Sequence, residues 1–363
     1  MKLNTKNTTE TQGFAIFIVL ISIAVLAGMA AIFASQMKVE TKLAYNSRNE
    51  EEFEWLGRSG VELARYVLAE EMLEPGPGQR YTSLNQKWAG GTAETNDLLA
   101  SISLVDVPLG SGKISVKITD NERKFNINTV ANNQALMNEA LTVIGTDAGE
   151  IPTIIASIQD WIDKDDEMHP SGAETEYYQS LDQPYSAKNG PIDDLSELLL
   201  IKGVTAEIYW GPNSTNHAKN IFQSKNPVSR GGLIPTAQLV SAGLIDVFTP
   251  VSSGRLNINT CSALELRMTG MDESSAQHII QLRAGPDGVD GTEDDVPFSS
   301  PGEIINAGIS PQLVQLFAQY LDVRSSTFEV KVTAEIGQSK RIYTALVRRN
   351  APRDIQVLTF RWD

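Results

Sequence analysis

The stretch of sequence that decides the fold lies at residues 13–34 and reads GFAIFIVLISIAVLAGMAAIFA. From Phe14 to Ala34 it contains no charged side chain, and Ser22 is its only polar one. As an α-helix this run would be about 31 Å long, which matches the hydrocarbon thickness of a bilayer. The segment is therefore predicted to cross a membrane once.

The residues on either side argue against a cleaved secretory signal, which is the alternative for an apolar N-terminus. A polar leader, residues 1–13, comes first, and the apolar run is longer than a typical signal core. The helical pattern then continues, since no proline occurs from Ser35 to Leu73 and apolar side chains recur at helical spacing. Pro75-Gly76-Pro77-Gly78 stops it. One helix of about 90 Å is predicted from Phe14 to Leu73.

Strand patterns appear at both ends of the remaining chain. Alternating or β-rich runs occupy residues 101–107 and 113–119, and again 328–336, 341–348 and 355–362. We expect one antiparallel sheet packed on the second half of the long helix. The fold class is predicted to be α+β, with a large helical domain inserted between strands. The predicted units are a leader at 1–13, a membrane segment at 14–34, helix and first strands at 35–120, the inserted domain at 121–324 and the last strands at 325–363.

The inserted region contains an internal repeat. Phe125-Asn126-Ile127-Asn128-Thr129 recurs as Leu256-Asn257-Ile258-Asn259-Thr260, and each copy is followed by a helix, a glycine turn, an Ile-Ile helix and an acidic loop. We interpret this order as two copies of one helical unit.

Two features of the sequence are similar to known families. The start Gly13-Phe14-Ala15-Ile16-Phe17-Ile18 resembles type IV pilin-like proteins. That resemblance implies cleavage between Gly13 and Phe14 by a prepilin peptidase, followed by methylation of the new amine. The fifth mature residue is usually Glu in that family, and here it is Ile18. Because a carboxylate in hydrocarbon is costly unless a neighbouring subunit pairs with it, Ile18 suits a subunit at the tip of a fibre.

The repeated unit resembles SAM-like, helix-hairpin-helix modules, some of which bind DNA through Gly-x-Gly hairpins. The hairpins here begin at Gly145, Gly203, Gly270 and Gly308, and none has the second glycine. Two carry Asp in its place, which would repel phosphate. A scaffold for protein contacts is the better interpretation. A membrane-anchored DNA-binding protein of a competence or type IV pilus system stays as the alternative.

Two acidic loops are candidate calcium sites, because Ca²⁺ prefers six to eight oxygen ligands. Neither matches the EF-hand spacing, so solvated acidic turns remain an open interpretation. The first candidate ligand set is Asp160, Asp163, Asp165, Asp166 and Glu174. The second is Asp287, Asp290, Glu293, Asp294 and Asp295.

The combination of features is similar to one family in particular. The sequence Asp160-Trp161-Ile162-Asp163, then Gly172-Ala173-Glu174 and Tyr177-Tyr178, together with the pilin-like start and the repeats, resembles the minor pseudopilin K family of bacterial type II secretion systems. The resemblance implies a subunit at the pseudopilus tip that helps to start assembly and export. It implies minor pseudopilins I and J as partners, a single-pass anchor in the inner membrane and a head in the periplasm. It leaves the secretion platform and the exported proteins open as further partners.

Composition and motifs narrow the function classes. The 363 residues carry a formal charge of −15, which argues against wide nucleic-acid binding. The single cysteine, Cys261, excludes an intrachain disulfide and a thiolate zinc cage. No Gly-x-Ser-x-Gly, Walker or His-Glu-x-x-His pattern occurs, and His169 is interpreted as a surface side chain. We therefore do not expect an enzyme.

Overall fold

A computed structural model of the chain describes residues 9–73, 80–91, 97–211 and 242–362. Its strands are β1 (Val107–Leu109), β2 (Gly112–Asp120), β3 (Phe125–Asn126), β4 (Phe248–Thr249), β5 (Leu256–Asn257), β6 (Leu321–Asp322), β7 (Thr327–Ile336), β8 (Ser339–Ala351) and β9 (Asp354–Trp362). Its α-helices are α1 (Thr9–Leu73), α2 (Asp97–Ser101), α3 (Ile127–Val130), α4 (Gln134–Val143), α5 (Ile151–Ile162), α6 (Thr175–Gln179), α7 (Ala206–Trp210), α8 (Leu244–Val247), α9 (Ala263–Met268), α10 (Glu273–Arg283) and α11 (Pro311–Ala318). Short 3₁₀ helices span Lys87–Ala89, Leu195–Leu200 and Pro301–Ala307.

The long helix α1 is continuous, as the absence of proline predicts. The side chains at positions 16–44 are all exposed, and the helix is long and apolar enough to cross a membrane. Of the predicted leader, residues 1–8 lie outside the described residues, and residues 9–13 belong to α1.

The second half of α1 packs on a five-stranded antiparallel sheet of order β1-β2-β7-β8-β9. One face of that sheet buries Val116, Val332 and Ala345 against Leu56 and other apolar side chains of the helix. This confirms the predicted α+β fold with a pilin-like helix on an antiparallel sheet. We call the second half of α1 and this sheet the head.

The sheet is interrupted by the inserted helical domain, because the neighbours β2 and β7 are separated in sequence by residues 121–326. The prediction of a strand at residues 101–107 is wrong, because the edge strand β1 begins only at Val107. Helix α2 ends at Ser101, and the chain becomes extended only at Val107. The Ser103 hydroxyl bonds the backbone of Val105, and Asp106 adopts φ 52°, so local turns replace a strand.

The inserted domain is built from two similar units, each closed by a short parallel strand pair. The first repeat motif starts at β3, which pairs with β4, and the second starts at β5, which pairs with β6. The second asparagine of each motif holds the returning chain of its own unit. Asn128 bonds the backbone of Ile192 in both directions, and Asn259 does the same with Phe298. One apolar core, including Phe125, runs through both units.

Candidate functional site

The first acidic loop, residues 160–176, is organised around one buried carboxylate. Asp160 lies in the last turn of α5 and is fully buried. Its Oδ1 accepts a hydrogen bond from the His169 backbone at 3.0 Å, and its Oδ2 accepts one from Ala173 N at 2.7 Å. A Cβ at Gly172 would stand 2.9 Å from Asp160 Cγ, so only glycine allows the chain to cross here. Asp160 therefore shapes the loop that carries the other acids.

Aromatic packing and one lysine hold this loop from behind. Trp161 and Tyr178 are buried and meet edge to face at 5.3 Å. The Lys202 ammonium donates to the carbonyl oxygen of Gly172 at 2.8 Å. The tryptophan and tyrosine of the sequence signature thus serve as the support of the acidic loop.

Two further carboxylates of the loop have buried oxygens without hydrogen-bond partners. Glu174 is only 5% exposed, and both its oxygens are unpartnered, as is Asp163 Oδ1. A buried carboxylate oxygen without a donor is energetically costly. These oxygens are therefore suited to a cation that enters the loop.

The electrostatics of the loop point in the same direction. Burial, and then the charges of Asp160 and Asp163, raise the pKa of Glu174 from its usual 4.5 to about 7. Burial also raises the pKa of Asp163, with a further contribution from Asp165. A bound divalent cation would relieve this repulsion and favour the ionised forms.

The loop brings four of the five first-set residues into two overlapping groups. One carboxylate oxygen each from Asp163, Asp165 and Glu174 lie within 4.8 Å of one another, and a similar group joins Asp160, Asp163 and His169. Carboxylate oxygens at this spacing suit a hard cation such as Ca²⁺. The fifth member, Asp166, accepts a hydrogen bond from Asn189 Nδ2 at 3.0 Å.

Two residues near this site were missed by the sequence reasoning. His169 is exposed, as its interpretation as a surface side chain expects, but its contact with the acids was not predicted: its Nδ1 lies 2.5 Å from Asp160 Oδ1 and 3.8 Å from Asp163 Oδ2. Asn189 was not considered, and its Oδ1 is buried and unpartnered. The proximity of His169 to the acids in sequence was a usable signal, whereas Asn189 comes from a distant segment that only the fold brings near.

The second acidic loop, residues 285–295, has a different organisation. Asp290 makes a two-point ion pair with the buried Arg283, at 2.9 and 2.7 Å. Asp294 accepts from Asp287 N and the Thr292 hydroxyl, and Asp295 accepts from Gly291 N. Within the described part of the chain, no group of three metal-ligating side chains includes this loop. The five acids, including Glu293, thus do not converge on one point.

At the hairpin before α10, the backbone N–H groups of the helix N-terminus are not all free to bind phosphate. Asp272 caps this helix, and its Oδ1 accepts the Ser275 N–H at 3.0 Å. Hydrogen bonds from Ser274 and Ser275 hold the pKa of Asp272 well below its usual range, so the carboxylate stays charged. A negative charge at this position disfavours a nucleic-acid backbone.

The predicted cleavage junction lies within α1. Gly13 belongs to the helix backbone, and the Phe14 side chain is 69% exposed. Ile18 is 50% exposed on the same helix. Among the described residues, the part of α1 that packs in the head core begins at Phe53, well beyond the cleavage junction.

Comparison with known proteins relates the chain to one family. Residues 123–210 match the family model described as type II secretion system (T2SS), protein K. The type II secretion system protein K of Pectobacterium carotovorum subsp. carotovorum is 22% identical over 216 residues, covering 55% of this chain and 61% of the relative. That of Klebsiella pneumoniae is 26% identical over 213 residues, covering 54% and 60%. The chain therefore spans about three fifths of the length of these curated relatives.

A solved structure shares the fold over most of both molecules. A chain in the crystal structure of the GspK–GspI–GspJ complex from the enterotoxigenic Escherichia coli type 2 secretion system superimposes with a TM-score of 0.63. The match covers 88% of this chain and 99% of that one, at 17% sequence identity.

Proposed function

Because the chain belongs to the type II secretion system protein K family, we propose that it is a minor pseudopilin of such a system. The observation that carries this proposal is the unbroken helix α1. Its first half exposes apolar side chains suited to lipid, and its second half is packed on the sheet of the head. This arrangement supports a single-pass anchor, which we place in the inner membrane with the head in the periplasm.

We place the subunit at the tip of the pseudopilus, where it would help to initiate assembly and the export of folded proteins across the outer membrane. Ile18 supports this position, because a tip subunit has no neighbour ahead of it to pair with a buried carboxylate. Together the head and the inserted domain are larger than a helix and sheet alone, which suits a cap.

The partners we propose are the minor pseudopilins I and J of the same system, by analogy with the complex that contains the structural relative. The contact surface would include the exposed side of α1 in the head. Trp55 is 52% exposed and Tyr66 is 41% exposed, although both are large and partly apolar. They are eleven residues apart, about three helical turns, so they lie on one face of α1. A neighbouring subunit's helix would cover them.

The cofactor we propose is Ca²⁺ in the first acidic loop, held by Asp163, Asp165 and Glu174 with Asp160 shaping the loop. The unpartnered oxygens of Glu174 and Asp163 support it. The ion would set the shape of the loop and would not take part in a reaction. The second acidic loop is the weaker candidate, since Arg283 already neutralises Asp290.

Co-purification tests this function. The full-length chain in mild detergent should form a stable complex with the I and J pseudopilins of its own bacterium. A photo-reactive residue at Trp55 or Tyr66 should crosslink to a partner, while the same residue at the exposed His278 of the inserted domain should not. Failure to bind either pseudopilin, together with tight and salt-sensitive binding to DNA in a mobility-shift assay, would favour the DNA-binding alternative.

A further inference from the structure

A buried polar cluster lies where the head meets the inserted domain. Its centre is Asp120, the last residue of β2, which is 2% exposed. Asp120 Oδ2 accepts hydrogen bonds from the Thr260 hydroxyl at 2.5 Å and from the Ser325 hydroxyl at 2.6 Å, and Asn257 Nδ2 lies 3.3 Å away. Asn257 and Thr260 belong to the inserted domain. A head carboxylate thus holds two side chains of the second repeat motif.

Asn257 also bonds the two segments that connect to the head, at Thr82 and at Ser325. Its Nδ2 also donates to the carbonyl oxygen of Thr82 at 3.0 Å and to Ser325 Oγ at 2.7 Å. Its side chain is fully buried. Thr82 follows α1 in sequence, and its N–H donates to the Val323 carbonyl at 2.8 Å. Asn257 therefore ties the inserted domain to the chain that leaves α1 and to the chain that returns to β7.

The first repeat motif provides an internal comparison. Asn126 occupies the position of Asn257, and its Nδ2 donates to the Ser252 carbonyl within the inserted domain. Thr129 occupies the position of Thr260, and its hydroxyl donates to the Asn126 carbonyl. Neither bonds a residue of the head. The two copies share the bonds that hold their own units together, but only the second motif bonds the buried carboxylate of the head; the first copy meets the head at the exposed ion pair of Asp194 with Arg361 of β9, at 3.1 Å.

A second layer of charged groups surrounds this attachment. Glu122 Oε2 accepts from Thr327 N at 3.0 Å, and its Oε1 accepts from Ser253 N at 3.1 Å. Arg349 of β8 is 7% exposed and donates to Thr82 Oγ1 and to the Ser325 carbonyl, both at 2.9 Å. Both chain crossings between the head and the inserted domain, at Glu122 and at Ser325–Thr327, thus take part in this network.

We propose that the second Asn-Ile-Asn-Thr motif is a docking element, and that Asp120 holds it so that the inserted domain and the head move as one rigid body. Hydrogen bonds to a buried carboxylate are among the stronger ones, and removing one partner leaves the other buried and unpaired. Two flexible crossings alone would let a domain of this size turn relative to the sheet. The network removes that freedom.

The experiment is a distance measurement between two spin labels on the full-length chain in detergent. One label is placed on the head by Lys340→Cys and one on the inserted domain by His278→Cys, both at exposed positions, in a Cys261→Ala background. The wild-type junction should give one narrow distance distribution. Thr260→Val and Asn257→Ala should broaden it and should separate the unfolding of the two units into two transitions. The isosteric Asp120→Asn should act in the same direction.

Matched variants in the first repeat are the control. Thr129→Val and Asn126→Ala remove the same groups without touching the head, so they should lower the melting temperature and leave the distribution narrow. A narrow distribution in folded Thr260→Val and Asn257→Ala would overturn the proposal. Equal broadening by the first-repeat variants would overturn it too, because docking would then not be specific to the second motif.

Discussion

Gly60 of the long helix faces Val332 of β7 so closely that a Cβ at position 60 would stand 2.8 Å from Val332 Cγ2. Val332 is fully buried in a central strand, and a β-branched side chain has little rotamer freedom. We expect Gly60→Ala to destabilise the head by about 1–3 kcal/mol, because overpacking outweighs the gain of about 1 kcal/mol in helix propensity. Chemical unfolding followed by tryptophan fluorescence measures this.

Gly28→Ala is the matched control for that substitution. It makes the same change in the same helix, where a Cβ meets nothing within 4 Å. This variant should be as stable as the parent or slightly more so. Equal effects of the two substitutions would show that helix propensity, and not close packing on the sheet, decides the outcome.

Glu122 predicts a pH dependence of stability. Burial, and then the charge of Asp120, raise its pKa from 4.5 to about 7 in the folded chain. The folded state therefore binds more protons than the unfolded chain between these pH values. This group's contribution to stability is fully present below about pH 4.5 and is lost as the pH rises towards 7. Glu122→Gln should flatten that part of the stability profile, measured by urea unfolding at several pH values. The exposed Glu139→Gln should leave the profile unchanged.

The parts of the fold that could be predicted from the sequence are those set by hydrophobic periodicity and by helix-breaking residues. The long helix follows from an apolar run and the absence of proline, and the last three strands follow from alternation. The strand expected at residues 101–107 failed because side-chain hydrogen bonds and a left-handed Asp106 outweigh β propensity there.

The candidate site was accessible only in part. Clustered acids marked both loops, but composition could not show that Arg283 pairs with Asp290 in one of them, nor that His169 turns towards Asp160 in the other. These pairings depend on how the helices end and cross. The role of Asp120 in the junction was equally hidden, since its partners are far away in sequence.

Processing at the N-terminus is predicted at the Gly13-Phe14 bond. A bulky residue at position 13, such as Gly13→Leu, should leave the precursor uncut when it is expressed with a prepilin peptidase. Mass spectrometry of the purified chain reports the mature N-terminus directly. Gly28→Leu, which lies inside the apolar run, should still be processed. The same mature N-terminus in Gly13→Leu would refute this cleavage site.

Ile18 gives a second prediction in the membrane segment. Ile18→Glu places an unpaired carboxylate in hydrocarbon at a cost of roughly 3 kcal/mol, if the subunit has no neighbour ahead of it. We expect reduced insertion or reduced secretion, measured by membrane fractionation and by export of a secreted protein. Ile18→Leu should behave as the parent. Normal insertion and secretion by Ile18→Glu would argue against the tip position.

Calcium binding in the first acidic loop predicts a change in thermal stability. An ion that binds only the folded chain stabilises it by about 2.7 kcal/mol at a hundredfold excess over its dissociation constant. The full-length chain in detergent should therefore melt at a higher temperature in calcium than in chelator, and magnesium should substitute poorly because it demands a smaller octahedral shell.

Asp163→Asn combined with Glu174→Gln should abolish the gain. It should also raise the melting temperature in chelator, because it removes the charges of two neighbouring carboxylates whose buried oxygens have no hydrogen-bond donor. The exposed Glu167→Gln is the control and should keep the full response to calcium. Asp294→Asn reports on the second loop, where a partial loss of the gain would add a second ion. Equal melting temperatures of the parent in calcium and in chelator would return both loops to the interpretation of solvated acidic turns.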